Sequence, residues 1–119
     1  MPLLLDPIIT RSGPPQAECS RHIMEHRVVR FPWQSGAVGP LTEWAVFDDR
    51  FNPDGMVFHD GLLYLTGSSG DRVAVLDASG RLVEMIDTGP GSDPTNCCVH
   101  DGRLWVTLGL PGELVSYAL

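Results

Sequence analysis

Hydrophobic and polar positions alternate in short runs along most of this chain. Met56 to Phe58, Leu62 to Thr66, Arg72 to Asp77 and Leu82 to Ile86 are rich in β-branched, aromatic and large aliphatic residues. None has the three- and four-residue apolar spacing of a helix, so each predicts a strand. Between them fall Asp60-Gly61, the Ser-Ser-Gly-Asp of residues 68–71 and Ala78-Ser79-Gly80. These are turn sequences, because Gly, Asn and Asp tolerate the positive φ that tight hairpins require. The reading is therefore four short strands joined by hairpins.

The same pattern then recurs. The stretch beginning Pro53-Asp54-Gly55 lies over the stretch beginning Pro94-Thr95-Asn96 at an offset of 41 residues. His59-Asp60-Gly61 returns as His100-Asp101-Gly102, and Leu63-Tyr64-Leu65-Thr66 returns as Leu104-Trp105-Val106-Thr107. Arg72 to Leu76 faces Glu113 to Tyr117 at the same offset. Four strands in a unit of about 40 to 45 residues is one blade of a β-propeller. Upstream, Arg27 to Phe31 matches the Arg72 strand and Leu41 to Trp44 matches Leu82 to Met85, so the third and fourth strands of an earlier blade are expected there. The last repeat is expected to reach the end of its third strand. The predicted class is all-β, a partial β-propeller of about two and a half four-stranded blades covering residues 21–119. Residues 1–20, with Pro2, Pro7, Pro14 and Pro15, do not fit the repeat and are expected to be irregular.

Composition narrows the functional classes. A net charge of −7 with no Lys-rich or Arg-rich run argues against a nucleic-acid partner, which demands clustered cations. Leu3-Leu4-Leu5 is cut by Asp6 and Pro7, has no basic residue before it, and predicts neither a signal peptide nor a membrane span. Three cysteines, of which Cys97 and Cys98 are adjacent, do not make a disulfide framework, and a reducing, cytoplasmic setting is expected.

The order of motifs carries a resemblance. Pro53-Asp54-Gly55 opens a blade; Gly61-Leu62-Leu63-Tyr64, Arg72 to Asp77, Gly80 to Glu84 and Pro94 to Cys98 follow. This succession resembles the late blades of the gluconolactonase, senescence-marker-protein and luciferin-regenerating-enzyme family, across residues 17 to 119. The resemblance implies a six-bladed propeller and a metal-dependent sugar lactonase that hydrolyses a cyclic ester such as gluconolactone. It implies a divalent cation, calcium or zinc, at one mouth of the central channel, with Asp54 as metal ligand, catalytic base or both. A hard cation wants several oxygen ligands, and a bound cation polarises a carbonyl and lowers the pKa of water. Taken without the resemblance, Asp54 is a turn residue ahead of Gly55.

Of the ligands that the family uses, only the Asp of Pro-Asp-Gly has a counterpart; the early-blade Glu and the middle-blade Asn have none. Either other blades complete the site, as a homo-oligomer closing the ring would, or the chain is a non-catalytic, self-associating propeller fragment. Whether it is an enzyme stays open at this point. Asn96 is one position beyond Thr95, the strict counterpart of Asp54, and is the candidate substrate-binding residue. His22-Ile23-Met24-Glu25-His26 spells the His-x-x-Glu-His of inverted zinc peptidases, but it runs straight into a strand, and a chance cluster is the better account. Cys97 and Cys98 fall in an inner strand, where packing explains them. His59 and His100 recur at equivalent hairpins, which points to a structural role.

Overall fold

The repeat reappears as a spacing between strands. The computed structural model describes residues 8–11, 26–48 and 50–119. Twelve strands are described: β1 (Ile8–Arg11), β2 (Arg27–Arg30), β3 (Trp33–Gln34), β4 (Ala37–Val38), β5 (Thr42–Val46), β6 (Pro53–His59), β7 (Leu62–Gly67), β8 (Arg72–Leu76), β9 (Leu82–Asp87), β10 (Pro94–His100), β11 (Arg103–Leu108) and β12 (Glu113–Ala118). No helix occurs among the described residues. The starts of β6, β7 and β8 lead those of β10, β11 and β12 by 41 residues each.

Ten of the described strands form three successive antiparallel sheets, and β3 and β4 pair separately. The middle sheet has the order β6-β7-β8-β9 and is a whole blade; β10-β11-β12 follows it, and β1-β2-β5 precedes it. Tight turns connect the strands where expected. Asp60-Gly61 and Asp101-Gly102 have positive φ at both central residues, at 51° and 79° and at 51° and 71°. That is the geometry of the two-residue hairpin turn whose twist matches paired strands. His59 and His100 sit on the exposed strand ends beside these turns.

Two features depart from the sequence reading. Ile8–Arg11, inside the segment expected to be irregular, pairs antiparallel with β2, from Ile8 opposite Arg30 to Arg11 opposite Arg27. It fills the second-strand position of the first blade, and four residues between prolines are too few to announce a strand by periodicity. A small hairpin, β3 and β4, is also inserted between the third and fourth strands of that blade, with the Gly39 amide donating to the Pro32 carbonyl at 2.8 Å.

Side-chain alternation along β7 and β8 sends residues to opposite faces of the middle sheet, and each face buries against a different neighbour. Leu63, Leu65, Ala74 and Leu76 pack with Val28, Ala45 and Phe51 toward the first sheet. Tyr64, Val73 and Val75 pack with Cys97, Leu104, Val106 and Leu108 toward the third. The two cores hold blade against blade. Two threonine hydroxyls bond in register with the repeat: the buried Thr66 donates to the Gly55 carbonyl at 2.9 Å, and the exposed Thr107 to the Asn96 carbonyl at 3.2 Å. A buried hydroxyl with a partner avoids the cost of desolvation, which suits Thr66 at 0 % exposure.

Candidate functional site

The innermost strands β6 and β10 lie side by side, and both are bulged at their entry. On β6, Pro53 is opposite Gly67 and Met56 opposite Leu65, so Asp54 and Gly55 together face Thr66 alone. On β10, Thr95 is the extra residue between Pro94 and Asn96. A bulge bends the strand and re-aims a side chain, and bulges gather next to functional sites. Asp54 and its strict counterpart Thr95 stand at these bulges.

Asn96 is brought directly against the Asp54 turn. A side chain at Gly55 would put its Cβ 2.7 Å from the Asn96 Cα and closer still to Oδ1, so only glycine lets the two strands approach here. The Asn96 Oδ1 accepts the Cys97 amide at 2.9 Å. That bond holds the side chain in place and leaves its Nδ2 as a donor. The Thr95 and Thr107 hydroxyls bond to each other at 2.9 Å beside it.

A second carboxylate joins them, and sequence reasoning missed it. Asp93 precedes Pro94 as Asn52 precedes Pro53, so it lies one residue outside the stretch that the repeat highlighted. Its Oδ2 would lie 3.0 Å from a Cβ at Gly109, which places the carboxylate over the end of β11. Partial burial, and after it the charge of Asp93, push the Asp54 carboxyl above its ordinary range. Two carboxylates in this relation repel when both are ionised, and a cation near them relieves the repulsion.

The donor chemistry is that of a hard cation, since Asp54, Asp93 and Asn96 offer oxygen and no imidazole or thiolate. In kind these residues fit calcium better than zinc. In number they fall short of the six to eight oxygens calcium takes, and among the described residues no three His, Cys, Asp or Glu side chains converge. The Asn52 Oδ1, two residues before Asp54, is buried without a partner.

The other sequence candidates separate from this site. His22 and Glu25 of the zinc-peptidase-like pattern lie outside the described residues, while the His26 Nδ1 donates to the Phe51 carbonyl at 3.1 Å and ties the first blade to the second. Cys97 is buried against the Tyr64 carbonyl, and burial, with a smaller contribution from Cys98, pushes its thiol up to about 12. Cys98 is exposed. In a Cys19→Ser background, a thiol reagent at pH 8 is expected to label Cys98 within minutes and Cys97 only after unfolding; equal labelling of both in the folded chain would contradict the packing.

No family model matches the sequence, and no curated protein matches it. Solved structures do. A gluconolactonase from Xanthomonas campestris is similar over 78 % of this chain and 30 % of its own, with 28 % identity and a TM-score of 0.63. A streptogramin B lyase is similar over 80 % of this chain and 34 % of its own, with 22 % identity and a TM-score of 0.61. A virginiamycin B lyase from Staphylococcus aureus, solved with quinupristin, is similar over 80 % of this chain and 35 % of its own, with 17 % identity and a TM-score of 0.59. The chain thus spans about a third of the length of the structures it resembles. The lyases share its fold, and both they and the gluconolactonase are propellers. With three blade-like antiparallel sheets following one another in sequence, this chain is an all-β, partial β-propeller.

Proposed function

We propose that this chain contributes the Asp54 face of a metal-dependent sugar lactonase, a propeller that hydrolyses a cyclic ester at the mouth of its channel. The observation that carries the proposal is that Asn96 lies against the Asp54-Gly55 turn at the bulged entries of two neighbouring innermost strands, with the charge of Asp93 near enough to act on Asp54. The similarity to a gluconolactonase supports the choice of substrate class.

Asp54 and Asp93 would hold a divalent cation, calcium on the chemistry of their oxygens, and the remaining ligands come from blades beyond the described residues. When bound, the cation polarises the lactone carbonyl and makes water a better nucleophile. Asp54, at the bulged entry of β6, would be the carboxylate placed to take a proton from the attacking water. The Asn96 Nδ2 donates to a substrate oxygen and orients the ring. No helix among the described residues is long and apolar enough to cross a membrane.

A second reading has its own support: among the described residues the ligand set is incomplete, which a non-catalytic, self-associating propeller scaffold would not need to repair. Both readings involve copies of the chain. The outer edge of β12 has no strand beside it among the described residues, whereas β9 covers the equivalent edge of β8. Open edges recruit further strands. Light scattering with and without calcium, together with a gluconolactone hydrolysis assay, separates the readings. The lactonase proposal expects a discrete multimer, calcium binding and hydrolysis that disappears in Asp54→Ala. A multimer that neither binds calcium nor hydrolyses lactone supports the scaffold.

A further inference from the structure

The loop that delivers Asp93 and Asn96 to the site is held by a residue from the preceding hairpin. Asp71 lies between β7 and β8. Its Oδ2 accepts the Gly91 amide at 2.8 Å and its Oδ1 accepts the Asp93 amide at 3.0 Å, while its own carbonyl accepts the Thr88 amide at 3.0 Å. The far end of the same loop is tied by the Gly109 amide, which donates to the Asp93 carbonyl at 2.8 Å. A carboxylate gripping two backbone amides makes charge-assisted bonds, stronger than neutral ones.

The turn at Asp71 does not require this carboxylate. The repeat counterpart of Asp71, 41 residues on, is Gly112, and it makes the corresponding turn at a φ of 68°, against 53° for Asp71. Glycine serves the backbone alone. The side chain of Asp71 therefore acts on the loop it reaches, residues 88–93, and that loop leads into Pro94-Thr95-Asn96.

We propose that Asp71 is a positioning residue, which clamps the loop of residues 88–93 so that Asp93 stands by Asp54 and Asn96 lies against Gly55. The proposal rests on the reading of Asp54, Asp93 and Asn96 as the working face. Asp71 touches none of their side-chain oxygens; it acts through the backbone.

The test is Asp71→Gly, which keeps the turn and deletes the clamp, with Asp71→Asn as the intermediate that keeps one acceptor oxygen and tolerates positive φ. In the full chain, amide hydrogen exchange at Gly91 and Asp93 is expected to accelerate at least tenfold in Asp71→Gly, with Val73, Val75, Leu104 and Val106 in the blade cores unchanged. The nuclear Overhauser contact between the Gly55 α-protons and the Asn96 side chain is expected to vanish. Calcium affinity is expected to fall about tenfold, as it does when a supporting hydrogen bond behind a metal ligand is lost. Asp71→Asn should fall between the two. If the Gly55 to Asn96 contact survives in Asp71→Gly, the positioning role is overturned. If the unmodified chain binds no calcium, the cation reading fails, and Asp71 is judged on the contact alone.

Discussion

Replacing Leu65 by alanine is expected to destabilise the chain by about 2–5 kcal/mol, the range for truncating a buried leucine. Leu65 is 0 % exposed and packs in the core that joins the first two blades, with Val28, Phe51, Leu63 and Leu76 around it. Deleting its isobutyl group removes burial and leaves a cavity that two stacked sheets, each held by its own hydrogen bonds, are poorly able to close. The whole stability of a domain of this size is about 5–15 kcal/mol, so the loss is a large fraction of it. Thermal unfolding followed by circular dichroism should show Tm lower by about 10–20 °C. Leu114→Ala is the control: Leu114 is 62 % exposed on the outer face of the third sheet, and its truncation should move stability by less than about 0.5 kcal/mol. Equal effects from the two would mean that the interface between blades is not what holds the chain together.

Asp54→Asn is expected to act in opposite directions with and without calcium. In the free chain it removes a carboxyl raised by burial and by Asp93, so Tm should rise. The sign follows from linkage. A carboxyl whose folded pKa is raised favours its protonated form when folded; its contribution is present below the unfolded value of 3.8 and is lost as pH rises through the folded value. The unmodified chain should accordingly lose stability over that interval, and Asp54→Asn should lose less. With calcium the order reverses. At a hundred times Kd, a bound ligand stabilises by about 2.7 kcal/mol, which is worth about 10 °C in a domain of this size. Asp54→Asn should lack that rise altogether. An unmodified chain whose Tm ignores millimolar calcium would remove the case for Asp54 as a ligand. A residue that destabilises its fold while serving a site is a familiar trade-off, and these two scans measure both halves of it.

Asp71 carries the opposite signature. The amides of Asp93 and Gly91 hold its carboxyl below the ordinary range, so the clamp contributes stability at neutral pH that is lost as pH falls through its folded value. Acid therefore loosens the loop that carries Asp93 and protonates Asp54 on the same face.

The blades were legible in the sequence because a propeller writes its fold locally. Each strand is short, each turn is tight, and one unit repeats after 41 residues, so alternation and turn chemistry suffice to place β6 to β12. His59 and His100 stand beside equivalent turns and Cys97 is buried, in agreement with that reading, but Cys98, read as packed along with Cys97, is exposed, because neighbours on a strand point to opposite faces. Sequence reasoning also put Asp54 and Asn96 at the entries of neighbouring repeats, one residue out of strict step.

What it did not contain was decided by contacts between strands far apart in the chain. The four residues of β1 become a strand only because β2 offers an unpaired edge, and the β3–β4 hairpin has no counterpart in the repeat to signal it. The bulges at Asp54 and Thr95 depend on how β6 and β10 pair with β7 and β11, which alternation alone cannot register. Asp93 entered the site, and Asp71 came to hold it, through a loop whose course is set by hydrogen bonds spanning about twenty residues. The sequence by itself determined the repeating strands and put the candidate residues Asp54 and Asn96 at their entries. Only the packing of one blade on the next decided which residues meet, because side chains distant in sequence converge only where the sheets that carry them are pressed together.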